Sequence, residues 1–346
     1  MAGSTNGTIQ ILQASPYQNF LSNIQAHAGR ILAINQLMNN LVVTASDDTF
    51  VKLWQPSDDP PYITLLSTFT GHTKGVLCVL EMNSSTLVSG SSDGTVRLWD
   101  VNSGQLKLTL NVTSVRDGTQ AVKGLSRHPD GRSLITVDTE KNVKFWNLSD
   151  STFITFATLN SELNAVRRLL NSTKIVIATS NNCGTNSCNT TATPKYDRGS
   201  IWIFDVANGT VPVKVLGDTY LPDTLDLTTK GNYHTDSVTS LTVYYDSITW
   251  EANPFSASAD TTVKLWNFTT NTAINFESHY NKIANGIGYL YWQNIDLMLV
   301  GSLDSNINAY NLTDGHLFGA YSTGLQITSL SVAYLDSPVV TSHALL

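Results

Sequence analysis

The sequence predicts an all-β protein built from seven copies of a four-stranded unit. Three observations lead there. A short run of alternating apolar and polar residues recurs seven times, each beginning at a turn residue and ending on a large side chain. Two further apolar runs stand upstream of nearly every copy. No segment keeps a helical 3.6-residue period over several turns.

The recurring run reads Asp48-Thr-Phe-Val-Lys-Leu-Trp54, Asp93-Gly-Thr-Val-Arg-Leu-Trp99, Glu140-Lys-Asn-Val-Lys-Phe-Trp146 and Asp260-Thr-Thr-Val-Lys-Leu-Trp266. Looser copies are Asn6-Gly-Thr-Ile-Gln-Ile-Leu12, Gly199-Ser-Ile-Trp-Ile-Phe204 and Asp304-Ser-Asn-Ile-Asn-Ala-Tyr310. Successive end residues are 42, 45, 47, 58, 62 and 44 positions apart. Strict alternation over five residues is the pattern of a strand with one face on a core. A second strand ending in small residues precedes it, as in Leu41–Ser46, Thr86–Ser91 and Leu297–Ser302. A third lies further upstream (Ile31–Ile34, Val76–Leu80, Val238–Val243), and a fourth follows, such as Gln105–Thr109. Asp-Gly and Asn-Gly pairs supply the tight turns between them.

The copy from Gly71-His72 through Ser89-Gly-Ser91 and Asp93-Gly94 to Trp99-Asp100 carries a full motif set, and on these residues the chain resembles the WD40-repeat family. Partial copies show Ala26-His27, Tyr233-His234 and Ser278-His279 at the opening position, whereas the third and fourth lack that histidine. The resemblance implies a β-propeller. It also implies a structural tetrad of His72, a strand serine (Ser89 or Ser91), Asp93 and Trp99. A buried indole N–H and a buried imidazole each need a partner, and such a chain supplies them.

Closure is expected in the seventh blade, built from about 325–346 together with 5–25, so that residues 1–346 form one domain. Thr8–Leu12 reads as its third strand, 19–24 as its fourth, Ile327–Ala333 as its first and Val339–Ser342 as its second.

Two long gaps hold insertions. Ser180–Gly199 is rich in Asn, Thr and Ser, and Gly217–Tyr233 and Asp246–Pro254 lie before Trp266. By the resemblance, the first two emerge on one face beside blades four and five, and long loops on rigid scaffolds commonly carry function. Residues just after the opening motifs (Arg30, Lys74, Asp236 and Lys282) would ring the channel mouth. With Lys195, Tyr196 and Arg198 in the first insertion they form the candidate partner-binding set. Their mixed signs suit a protein or peptide partner. Trp250 and Trp292 fall near first-to-second strand turns, beside strand tyrosines Tyr244, Tyr245, Tyr289 and Tyr291.

Composition narrows the function classes. Twenty Lys+Arg against 27 Asp+Glu give a net charge of −7. That is no footprint for a phosphate backbone, so no nucleic-acid partner is expected. No apolar run reaches membrane-span length, and Met1–Gly7 lacks the basic and apolar segments of a signal peptide. No membrane association is expected, and the cytoplasm is the expected compartment. Nine Asn-x-Ser/Thr sites and the Cys183–Cys188 pair keep an extracellular setting open as the alternative. The seven histidines fall in repeat positions, turns or the last strand, and no zinc spacing, nucleophile elbow or phosphate-binding glycine loop occurs. The sequence therefore points to a non-enzymatic interaction scaffold, monomeric within an assembly, with no catalytic residues, metal or cofactor. A regulatory or sensor propeller domain cut from a larger multidomain protein, or a channel-based enzyme or small-ligand binder, are the other readings.

Overall fold

In the computed structural model, the described residues are 1–12, 20–112, 120–159, 161–180, 200–210, 212–216, 234, 236–245, 252–267, 272–276, 280–292 and 295–332. They form seven antiparallel sheets of four strands each, with no helix among the described residues. The inner strands are Ile31–Gln36, Val76–Asn83, Val122–Arg127, Leu163–Arg168, Val238–Tyr245, Ala284–Trp292 and Ile327–Leu330. They define blades 1 to 7 in that order.

Each blade is a meander whose period-two pattern buries both faces near the axis. In blade 2 the second strand, Thr86–Ser91, is buried along its whole length, while the outer strand Leu106–Asn111 is mostly exposed. Small residues in second strands answer a packing demand. A Cβ on Gly90 would stand 2.7 Å from Val122 of blade 3 and 2.8 Å from Cys78. The aromatic ends of the third strands are all buried: Trp54, Trp99, Trp146, Phe204, Trp266 and Tyr310. Trp99 sits in a cluster with Val43, Val51, Val76 and Leu87, which joins blade 1 to blade 2. Hydrophobic burial of this kind, repeated between neighbours, is the main force holding the ring.

The closing blade differs from the expected division. Its strand order is Ile327–Leu330, Ala2–Ser4, Thr8–Leu12, Phe20–Gln25, so the C-terminal part gives one strand and the N-terminal part three. Ala2 pairs with Leu330 on one side and with Gln10 on the other, and fills the place expected for Val339–Ser342. The reason is steric room: a Cβ on Gly3 would lie 2.6 Å from Ile31 of blade 1, so this slot takes a strand of small residues, Ala2-Gly3-Ser4. Residues 339–342 lie outside the described residues. Ala2, Ile327 and Leu330 cluster with Ile307 of blade 6, and Ile9 and Ile11 cluster with Ile31, Val42 and Trp54 of blade 1.

In blade 5 the second strand is Ala252–Ser258, and Pro254 pairs with Val243. The expected hairpin insertion 246–254 therefore ends sooner, its last three residues being part of the sheet.

Candidate interaction face and central channel

Three blades carry the same four-residue chain of hydrogen bonds. In blade 2 His72 Nδ1 is 2.8 Å from Asp93, His72 Nε2 is 2.8 Å from Ser89 Oγ, and Trp99 Nε1 donates to Ser89 Oγ at 2.8 Å. Blade 1 repeats it with His27, Asp48, Thr44 and Trp54, and blade 5 with His234, Asp260, Ser256 and Trp266. Of the two serines that the sequence left open in blade 2, Ser89 lies between the rings. Ser91 instead donates to the carbonyls of Lys74 and Gly75.

One tautomer satisfies every member. The indole N–H donates to the hydroxyl, the hydroxyl donates to Nε2, and Nδ1–H donates to the carboxylate. A second ring proton would leave two donors on one hydroxyl and displace its own proton. Burial accordingly holds the His27 and His234 pKa values below the ordinary 6.5, with their aspartates opposing. Burial also works against ionisation of Asp93 and Asp260, yet their hydrogen bonds from His72 and His234, from Thr95 and Thr262, and from nearby amides hold both well below the usual carboxylate range.

Turn aspartates pin two kinds of loop to one face. Asp48, Asp93 and Asp304 each accept the backbone N–H of a residue in the loop linking two blades: Ala28, Thr73 and Asn281. The loop between second and third strands is thereby fixed beside the inter-blade loop. The Asn281 contact also corrects the register of blade 6. The residue before it, Tyr280, holds the opening place read for His279, and is buried against Tyr310. A tyrosine there meets a tyrosine anchor, and burial raises its hydroxyl pKa. His279 lies outside the described residues.

Blade 3 lacks the opening histidine and uses another device. Its indole still donates to a strand hydroxyl, Trp146 Nε1 to Thr136 Oγ1 at 2.9 Å. Asp138, however, stands where blade 2 has Ser91, eight positions before the tryptophan in both cases. Lys144 Nζ lies 2.8 Å from this carboxylate and donates to the Val112 carbonyl at 2.6 Å, with both side chains buried. Sequence reading missed this pair; the signal was a carboxylate at a position otherwise held by serine.

The candidate partner-binding residues divide by position. Arg30, Lys74, Asp236 and Lys282 are on the inter-blade loops of the pinned face. The Lys74, Asp236 and Lys282 side chains are exposed, and their carbonyls accept the serine hydroxyls of the second strands. Arg30 is one register position further on and pairs with Asp47 at 2.6 Å, its side chain 59% exposed. Lys195, Tyr196 and Arg198 lie outside the described residues, as do Trp250, Cys183 and Cys188. Tyr244 and Tyr289 both donate to Asp296 in the blade 5–blade 6 contact. Cys78 is walled in by Gly90 and Val122, and burial pushes its thiol up to about 12, so it stays protonated.

The inner strands enclose a channel of about 970 Å³. Among the described residues no group of three or more His, Cys, Asp or Glu converges as a metal site, and no helix is long and apolar enough to cross a membrane.

The sequence profile described as WD domain, G-beta repeat matches residues 18–55, 63–100 and 227–267. The chain is a seven-bladed β-propeller with three WD40 repeats recognised in its sequence. The three matched segments end at Gln55, Asp100 and Asn267, each just after the tryptophan of a complete hydrogen-bonded chain. The other four blades are recognised by their four-stranded geometry, the profile leaving them unmatched. No curated protein matches the chain in sequence.

Proposed function

We propose that this propeller is a non-catalytic scaffold that holds a protein or peptide partner on the face bearing the inter-blade loops and the adjoining channel mouth. The observation that carries the reading is the pinning of that face. Aspartates of the second-to-third strand loops hold the amides of the inter-blade loops in blades 1, 2 and 6, so exposed Lys74 and Lys282 project from a rigid platform. Preorganised loops lose little entropy on binding. Charges of both signs, Arg30, Asp47, Lys74, Asp236 and Lys282, favour a partner of matching mixed charge. WD40 propellers in general serve as protein-interaction scaffolds, which supports the same reading. We place the scaffold in the cytoplasm; a glycan on any Asn-x-Ser/Thr site of the native protein would refute that placement.

The test is capture of partners from a lysate by the intact chain, by Lys74→Glu/Lys282→Glu and by a chain lacking residues 182–197. The expected result is an unchanged melting curve for all three and loss of the captured partner from at least the charge-reversed variant. Equal capture by all three rejects this face.

A further inference from the structure

The channel wall carries its positive charge on one side, with most of it toward one end. It includes five charged residues, Glu81, Lys123, Arg127, Arg167 and Arg168. Four cations less one carboxylate leave +3 inside a chain whose net charge is −7. The cations all belong to the inner strands of blades 3 and 4, Val122–Arg127 and Leu163–Arg168. Inner strands run from the pinned face toward the opposite one. The three arginines, at the strand ends, therefore gather at the far mouth, with Lys123 nearer the pinned face.

The fold holds Arg127 and Arg168 side by side against their repulsion. Arg127 Nε donates to the Glu81 carbonyl at 2.8 Å, and the Arg168 amide donates to Ser126 Oγ at 3.0 Å, which stitches blade 4 to blade 3 beside Arg127. Burial, and then the charge of Arg168, lower the basicity of Arg127. Among the described residues none of the four cations forms an ion pair with a carboxylate. The Glu81 carboxylate opposes that lowering without forming an ion pair, and its Oε2 accepts the Met38 amide at 2.8 Å. Arg167 gives one guanidinium N–H to the Val166 carbonyl, and Arg127 gives Nε–H to the Glu81 carbonyl. Like charges crowded in a partly enclosed space raise the free energy of the empty site and favour an anion that bridges them.

We propose that the far mouth of the channel binds a compact polyanion carrying at least two linked phosphate groups. Arginine forks match phosphate oxygens bidentately, and three of them exceed what one phosphate dianion neutralises. The cavity volume lies within the range of small-molecule sites, roughly 300–1,000 Å³. A nucleic-acid backbone or a long acidic peptide would need a basic track beyond the mouth, and the acidic remainder of the chain offers none. The site is separate from the pinned face, so it stands or falls independently of partner capture there.

Isothermal titration calorimetry of the full chain with inorganic pyrophosphate, at about 0.15 M salt, tests this. One pyrophosphate per chain is expected. Arg167→Gln, an exposed residue, and Arg168→Gln are each expected to weaken binding about tenfold or more. Lys107→Gln, on the outer strand of blade 2, should leave affinity unchanged. A thermal melt of each variant separates lost binding from lost folding, and Lys123→Gln supplies a second probe of the same wall. Absence of heat, equal affinity of well-folded arginine variants, or tighter binding of an oligoglutamate peptide than of pyrophosphate would each overturn the proposal.

Discussion

Ser89, Thr44 and Ser256 show how much depends on one hydroxyl. Each accepts an indole proton and stands against an imidazole nitrogen in a buried setting, so a side chain of the same size without oxygen strands two polar groups at once. Blade 3 reaches the same end with charge. Asp138 is fully buried and Lys144 nearly so, and removing one partner leaves the other charge without compensation. Lys144→Met is expected to cost about 3–5 kcal/mol. Asp138→Ser/Lys144→Met is expected to recover most of that loss, because it restores the serine that blade 2 carries. Urea unfolding of the two variants measures both values. Equal destabilisation by the single and the double change would mean that the pair does not act as a unit.

At the scale of elements, the legible features are those whose partners lie within one repeat. The third strands announced themselves because alternation and a terminal aromatic are local, and the turn aspartates because Asp48, Asp93 and Asp260 cap their own turns through Phe50, Thr95 and Thr262. The strand Ala2–Ser4 was not legible. Three small residues have no alternation, and their strand character comes wholly from the sheet edge they fill between Ile327–Leu330 and Thr8–Leu12. Tyr280 was misplaced by one because a neighbouring histidine offered a better motif match, whereas the amide of Asn281 on Asp304 fixes the true register. The channel arginines escaped notice for a different reason. Arg127 and Arg168 are 41 positions apart in sequence, and only the ring brings their strand ends together. Blade count and core were thus readable from pattern, while the contents of the channel depend on topology.

For the molecule as a whole, the buried histidines set an acid limit before the carboxylates do. His27 and His234 have folded pKa values below the unfolded 6.5, so the unfolded chain takes up more protons as pH falls through that value, and stability falls with it. Asp93 and Asp260, depressed from 3.8, contribute stability that is lost only at lower pH. The urea midpoint is therefore expected to decline between about pH 7 and pH 5, and His27→Gln/His234→Gln is expected to flatten that slope whatever its absolute stability. An equal slope in the variant would remove the histidines from the explanation.

A ring stands or falls on its seam. Among the described residues the strand paired with Ile327–Leu330 is the three-residue Ala2–Ser4, while Thr328 and Ser329 donate their hydroxyls to the Ile31 carbonyl of blade 1. Amide hydrogen exchange of residues 327–330, in the full chain and in a chain lacking residues 1–4, tests this closure directly. Protection in the full chain that approaches that of Thr86–Ser91, and collapses when the four residues are removed, is the predicted result; protection that survives their removal would contradict it.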